Sequence, residues 1–386
     1  MGTNVNMKPI AHIMWDYAPQ LCARLAPAQC DIFPQSKIFV LEQGKWESPE
    51  DTYSKNEAWI SNLPQGAYSG RFKKSIVIRK CLFGRAITKR ISWSLLPSLS
   101  VASISRLIVG PRNIMLHGLL LSLVDLLILR CFGKRIVYVH WGRPLSLSSH
   151  GKALDVLRYK LLSKVFVLMP PEARSFQSIM GDDNVATIVY PAKGKREYSQ
   201  VSFINDKGAI DAHVILGNNC FCIDEYPLFL DKLQGRTNLK VVCMLNNGLE
   251  RDEIKRAAFI AKYKKIFSDA FVPWVEVVPF DEYVKTQATC PFYCCPCAHQ
   301  SGLGAISVSI RMGKGIFLRG DNYQHFKSMG CKIYNLDDFD SFTDDTWRQC
   351  ILTKEEQLQN VKALEAYTAK YASYEYWRTS MEGALA

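Results

Sequence analysis

Apolar residues along this chain fall into short blocks separated by stretches with a different period. Ile10–Trp15, Lys37–Glu42, Asn113–Gly118, Arg135–Gly142, Val165–Met169 and Ala186–Tyr190 are blocks of strand length. Between them, segments such as Leu154–Leu162 and the one opened by Pro170-Pro171-Glu172 repeat apolar positions every three or four residues, the period of an amphipathic helix. Gln43–Ser69 is polar, carries Pro49 and Pro64, and predicts a long loop. Strand and helix alternating in this way predict a parallel sheet covered by helices.

The alternation restarts at Ala212, where a buried strand delivers Gly217, Asn218 and Asn219 to its tip. Leu239–Met244, Val275–Val278, Phe292–Cys297, Gly315–Leu318 and Cys331–Tyr334 read as further strands, Arg251–Phe267 and Phe280–Thr286 as helices, and Lys354–Lys370 as a terminal amphipathic helix. A chain of 386 residues exceeds one ordinary core. The Lys-, Gly- and Ser-rich stretch Pro191–Gly208 marks the join. The expected organisation is a first Rossmann-like domain over 1–195, a linker over 196–209, a second Rossmann-like domain over 210–352, and a helical segment over 353–386 free to pack back on the first domain. The fold class is α/β, of GT-B type: two Rossmann-like domains with a cleft between them.

Phe292–Leu318 spells strand, loop, helix, strand, with Gln300-Ser301-Gly302-Leu303-Gly304 as the loop. Glycines there let the backbone approach a phosphate whose charge meets the amides of the helix start. A tight turn without ligand is the other reading of an isolated Gly-x-Gly. A dinucleotide fingerprint, G-x-G-x-x-G after an early strand, is missing, which argues against a dehydrogenase.

Charge separates the two halves. Residues 1–200 hold 27 Lys and Arg against 13 Asp and Glu, and residues 201–386 hold 21 against 23. No acidic residue occurs from Ala58 to Val124, where ten basic ones stand among long aliphatic runs. That mixture favours an anionic membrane surface over nucleic acid. The Leu119–Leu129 run, interrupted by Asp125, is too short to span a bilayer and reads as a core helix, partial membrane contact being the alternative. Peripheral attachment at the inner face of the cytoplasmic membrane is expected from the basic and aliphatic mixture. The start of the sequence lacks a signal peptide's apolar core. Thirteen cysteines scattered through apolar runs fit reduced core thiols. Cys290, Cys294, Cys295 and Cys297 could suggest zinc, but several of them lie along a buried strand with side chains diverging to opposite faces and the second pair of a zinc knuckle is missing, so no metal site is expected there.

Several segments together resemble one family, the bacterial 4-acetamido-4,6-dideoxygalactose (Fuc4NAc) transferases of glycosyltransferase family fifty-six. They are His117-Gly118, His140-Trp141-Gly142, Arg158–Leu161, Ile215–Asn218, Phe280–Tyr283, Gln300–Gly304, Gly313–Leu318 and Gly330–Asp338, in family order over residues 113–338. The resemblance implies a glycosyltransferase that moves a deoxy- or acetamidodeoxy-sugar from a TDP-sugar to an undecaprenyl-diphosphate-linked saccharide in surface-polysaccharide synthesis. Where the family has an Asp two residues after the Trp-Gly element, this chain has Pro144, so donor handling carries over further than acceptor handling.

On this reading Gly217, Asn218, Asn219, Gln300, Ser301, Gly302 and Gly304 bind the donor diphosphate, and Asp321 and Asn322 meet ribose or base. His140 is the expected catalytic base, with His117, Gly118, Trp141, Gly142 and Arg143 on the acceptor side. Asn218 and Asn219 could instead cap a helix, and His140 could simply end a strand. No Asp-x-Asp pair stands at a strand end, so neither cofactor nor essential divalent ion is expected beyond the nucleotide-sugar substrate. Two rivals remain: a GT-B transferase with another nucleotide sugar and a soluble acceptor, and a non-catalytic nucleotide- or polyanion-binding protein.

Overall fold

The computed structural model describes residues 9–15, 19–42, 60–61, 63–65, 67–73, 99–118, 120–141, 152–190, 212–233, 239–246, 253–276 and 278–385. Gly142, Arg143, the basic residues from Lys74 to Arg90 and the expected linker at 196–209 lie outside them. The chain divides into two compact units, Met1–Lys195 with Ala369–Ala386, and Arg196–Thr368.

In chain order the first unit is built from β1 (Ile10–Trp15), α1 (Pro19–Ile32), β2 (Lys37–Glu42), β3 (Tyr68–Lys73), α2 (Val101–Val109), β4 (Asn113–His117), α3 (Leu123–Cys131), β5 (Arg135–Val139), α4 (Lys152–Lys160), β6 (Lys164–Val167), α5 (Pro170–Met180) and β7 (Val185–Thr187). The strands form one sheet in the order β3-β2-β1-β4-β5-β6-β7, every pair parallel. The central strands are apolar on both faces because helices cover both. Every residue of β4 is buried.

Three features depart from the expected pattern. β3 begins at the last two residues of the stretch read as loop and runs past it to Lys73; it is an edge strand with one partner, so it needs no apolar alternation. Helix α2 was not expected; Ser100 caps it by accepting from Ser103 N at 3.3 Å. Asp125, read as an interruption of an apolar run, opens α3: Ser122 Oγ accepts from its amide at 3.2 Å and donates to its carboxylate at 2.8 Å. No helix among the described residues is long and apolar enough to cross a membrane.

The second unit comprises β8 (Ala212–Leu216), β9 (Leu239–Met244), α6 (Glu253–Phe267), β10 (Phe271–Trp274), α7 (Phe280–Thr289), β11 (Phe292–Cys295), α8 (Leu303–Arg311), β12 (Gly315–Leu318), α9 (Gly320–Ser328) and β13 (Tyr334–Asn335). Its sheet runs β10-β9-β8-β11-β12-β13, again all parallel. Relabelled from its first strand this is 3-2-1-4-5-6, the doubly wound dinucleotide-fold order. The strand expected at Val275–Val278 lies four residues earlier, as β10. Pro273, which argues against a central strand, is tolerated because β10 is the sheet edge.

The C-terminal segment is not one piece. Helix α10 (Lys354–Tyr371) carries Leu364 into the core of the second unit. Helix α11 (Tyr374–Leu385) places Trp377 and Met381 in the core of the first, where Trp377 Nε1 donates to Val189 O at 2.8 Å and Arg378 Nε donates to Ile32 O at 2.9 Å.

Candidate functional site

In a doubly wound sheet the ligand crevice opens at the carboxyl ends of the strands on either side of the order reversal. In the second unit those strands are β8 and β11. Gly217, Asn218 and Asn219 follow β8, and Gln300, Ser301 and Gly302 lead from β11 into α8, so the two expected donor loops are neighbours.

Each loop is held by specific contacts. Ser301 Oγ donates to Asn218 Oδ1 at 3.0 Å. Asn322 Nδ2 donates to Ser301 O at 2.9 Å, and Ser301 N donates to Asn322 Oδ1 at 3.4 Å. One buried carboxamide thus clamps both backbone groups of Ser301. Gly217 has φ +73°, and a Cβ on it would strike the Tyr226 hydroxyl. That hydroxyl accepts from Asn218 N at 3.4 Å and donates to Asn219 O, while Tyr293 OH donates to Gly217 O at 3.3 Å. Gly302 has φ +67° and caps α8 without a side-chain acceptor, so the cap leaves the first-turn amides of a nine-residue helix uncommitted.

Gly304 differs from its neighbours. It sits in the first turn of α8, its φ is ordinary, and nothing lies within 4 Å of where its Cβ would be. Packing does not require glycine there. Gln300, in the loop between β11 and α8, and Asn246, just past β9, are buried, and Gln300 Oε1 and Asn246 Oδ1 have no hydrogen-bond partner among the described residues. Buried orphan acceptors of this kind call for a ligand or water donor.

The last two expected donor residues part company. Asp321 is half-exposed, its amide donates to Ala298 O at 2.8 Å, and its carboxylate lies 3.5 Å from His299 Nδ1. Asn322 is fully buried, so the expectation that it meets ribose or base is corrected to a positioning role. The reason is helical phase: within α9 it points inward beneath Ser301.

Comparisons bear on the fold. No family model and no curated protein sequence matches the chain. Alr3699/HepE from Anabaena, solved with UDP-glucose, is similar at a TM-score of 0.62 with 12% identity, over 97% of this chain and 99% of that one. The lipopolysaccharide outer core galactosyltransferase WaaB, in its apo form, is similar at 0.62 with 10% identity over 98% and 100%. A glycosyltransferase from Rickettsia africae is similar at 0.57 with 9% identity over 98% and 99%. The fold is GT-B. Both Rossmann-like units of the GT-B fold are present, as the alternation of blocks predicted.

In the first GT-B unit the acceptor-side candidates are more enclosed than expected. His117 is fully buried in a hydrogen-bonded chain. Trp141 Nε1 donates to Tyr190 OH, which lies 3.3 Å from His117 Nδ1. His117 Nε2 lies 3.1 Å from His12 Nδ1, and His12 Nε2 lies 3.0 Å from Ser36 Oγ. All are satisfied when every proton points from Trp141 toward Ser36. Burial pushes the His117 imidazole down to about 3 and also lowers His12, aided by His117, so both stay neutral near pH 7. A fully buried His117 cannot touch an acceptor. Gly118, at φ +66°, is the one residue that lets the Trp141 ring lie against the chain.

His140 is also buried. Its Nδ1 lies 3.3 Å from Tyr138 OH, its Nε2 lies 3.6 Å from Glu172 Oε1, and its ring meets Phe176 edge-on. Glu172, the carboxylate in the Pro-Pro-Glu helix start, escaped the sequence reading as a partner, although its place at N-terminal α5 after β6 was visible.

The cysteines hold a second correction. Cys222 and Cys297, expected as reduced thiols, form a disulfide with Cα atoms 5.8 Å apart. Glu225 completes the one group of three metal-capable side chains among the described residues. Its carboxylate is already engaged, accepting from Ala298 N at 2.7 Å and lying 3.6 Å from Arg319 Nη1.

Proposed function

We propose that the protein is a nucleotide-sugar-dependent glycosyltransferase whose donor diphosphate lies between the Gly217–Asn219 and Ser301–Gly304 loops. Gly304 carries this reading. Glycine inside a helix costs about 1 kcal/mol relative to alanine. Nothing in the surrounding packing asks for it, whereas a phosphate approaching the first-turn amides does. The orphan acceptors of Gln300 and Asn246 add two polar groups able to accept from ribose hydroxyls or a base.

In the transfer step the bond from the sugar's anomeric carbon to the diphosphate breaks as an acceptor hydroxyl bonds to that carbon. The amides of Gly302, Leu303 and Gly304 and the positive end of α8 stabilise the departing diphosphate. No divalent ion is assigned to the step. His117 is too buried to act. His140, 4% exposed where His117 is fully enclosed, is the proposed proton acceptor, because the Glu172 carboxylate beside Nε2 would favour the imidazolium formed.

The finer identity follows the resemblance: a TDP-linked deoxy- or acetamidodeoxy-sugar of the Fuc4NAc type, passed to an undecaprenyl-diphosphate-linked saccharide at an anionic membrane surface. Exposed Val101, Val109, Leu127, Phe132 and Leu157, with Arg106, Arg112 and Arg130 nearby in sequence, support a membrane-facing first unit. Calorimetry with TDP and UDP is the test, both being included because HepE was solved with UDP and UDP-glucose. Binding of one nucleotide, lost in Gly304→Val, is expected; binding of neither would remove the transferase reading. Sedimentation with anionic vesicles separates a membrane-bound acceptor from a soluble one.

A further inference from the structure

The same two loops that meet through Ser301 and Asn218 are joined a second time, covalently. Cys222 lies in the turn Cys220–Cys222 that follows Asn219, and Cys297 lies two residues past β11. The bridge closes across 75 residues of sequence, and the 5.8 Å Cα separation lies inside the ordinary disulfide range of ~4.4–6.8 Å, so the pair can open and close without moving the backbone. Cys222 Sγ is also 3.7 Å from Ser301 Oγ.

The other cysteines of this unit are poor competitors. Cys220, Cys243, Cys290, Cys294, Cys295, Cys331 and Cys350 are buried and unbridged. Burial raises each of their thiols, so they stay protonated and out of reach. Cys222 alone of the pair is half-exposed, Cys297 being 1% exposed.

We infer that Cys222 and Cys297 are a reversible thiol–disulfide site that sets the stiffness of the two candidate donor loops, with a low-molecular-weight disulfide of the glutathione class as oxidant. Cys222 thiolate attacks one sulfur of the small disulfide, forming a mixed disulfide and releasing one small thiol. Cys297 thiolate then attacks the Cys222 sulfur, the bridge forms, and the second small thiol leaves. The two protein protons pass to the two leaving thiolates, and two small thiols reverse the reaction. In the bridged form the loops are held covalently beside Asn218 and Ser301. In the dithiol form they are held by that hydrogen bond, with a Cys222 S–H now available to Ser301 Oγ. Its effect on affinity rests on the donor reading of these loops: a nucleoside diphosphate is expected to bind the bridged form about three- to tenfold tighter, because less loop ordering remains to be done on binding.

The intact protein is equilibrated in a series of reduced and oxidised glutathione buffers, alkylated and mapped by mass spectrometry, while amide exchange is followed at 217–222 and 297–304 and UDP and TDP are titrated into each form. The expected result is a Cys222–Cys297 peptide that appears and disappears reversibly, with slower exchange in both loops when bridged. Cys222→Ser should hold both loops at the dithiol exchange rate in every buffer, and Cys297→Ser serves if that variant does not fold. A pair that never changes state across the series, equal exchange in both forms, or a zinc ion that co-purifies on both thiols would overturn the inference. If the exchange rates differ but neither form binds UDP or TDP, the donor reading fails and the thiol–disulfide site stands.

Discussion

Ser301 donates to the side chain of Asn218 at 3.0 Å across 83 residues of sequence, and so joins the loops after β8 and β11 at the point where strand order reverses. A neutral hydrogen bond of this kind is worth about 1 kcal/mol. Ser301→Ala and Asn218→Ala should each weaken nucleotide binding by ~5-fold, and the double variant little further, since both remove the same bond. Calorimetry on the four proteins checks it; fully additive losses would mean that each side chain contacts the nucleotide independently.

Two glycines should behave oppositely. Gly217→Ala places a methyl against the Tyr226 hydroxyl at φ +73° and should destabilise the protein by ~2 kcal/mol or more. Gly304→Ala meets no neighbour and should raise stability by up to ~1 kcal/mol while lowering nucleotide affinity. Thermal melts with and without nucleotide read both, and unchanged affinity in Gly304→Ala would leave its amides without a phosphate.

If His140 takes the acceptor proton with Glu172 behind it, His140→Ala should lower kcat by ~10²–10⁴ with donor affinity unchanged. Glu172→Gln should cost less and shift the acidic limb of the pH–rate profile downward, because the imidazolium loses its carboxylate. A His140→Ala variant with undiminished turnover would reduce the pair to packing.

Lys314 is buried with Nζ donating to Gln287 O and Cys290 O. Desolvation pushes its amine down to about 7. A neutral amine keeps two N–H donors, enough for both carbonyls. Between the folded value and the unfolded value of 10.5 the unfolded chain binds the extra proton, so stability rises with pH over that window. Denaturation of the wild type against Lys314→Met from pH 6 to 10 should show a difference that shifts steadily toward the wild type; a pH-independent difference would contradict it.

The alternation of apolar blocks was legible because parallel strands buried on both faces must be apolar throughout. Two of the four edge strands escaped that logic: Tyr68–Lys73 is polar, and Pro273 disguised Phe271–Trp274. The glycine and asparagine loops were legible as backbone features. Side-chain direction was not, so Asn322 was assigned to the ligand when it braces Ser301 from beneath. Tyr226, Glu172 and the Cys222–Cys297 pair act across folds of the chain that no local spacing records.

The return of Tyr374–Leu385 to the core of the first unit means that the second is threaded into the first as an insertion. A single proteolytic cut between 191 and 211 would therefore liberate neither unit. Expressing residues 1–195 alone would leave Phe166 and Val189 without Trp377. A separable first unit has to be built as a fusion that carries residues 369–386 back to it.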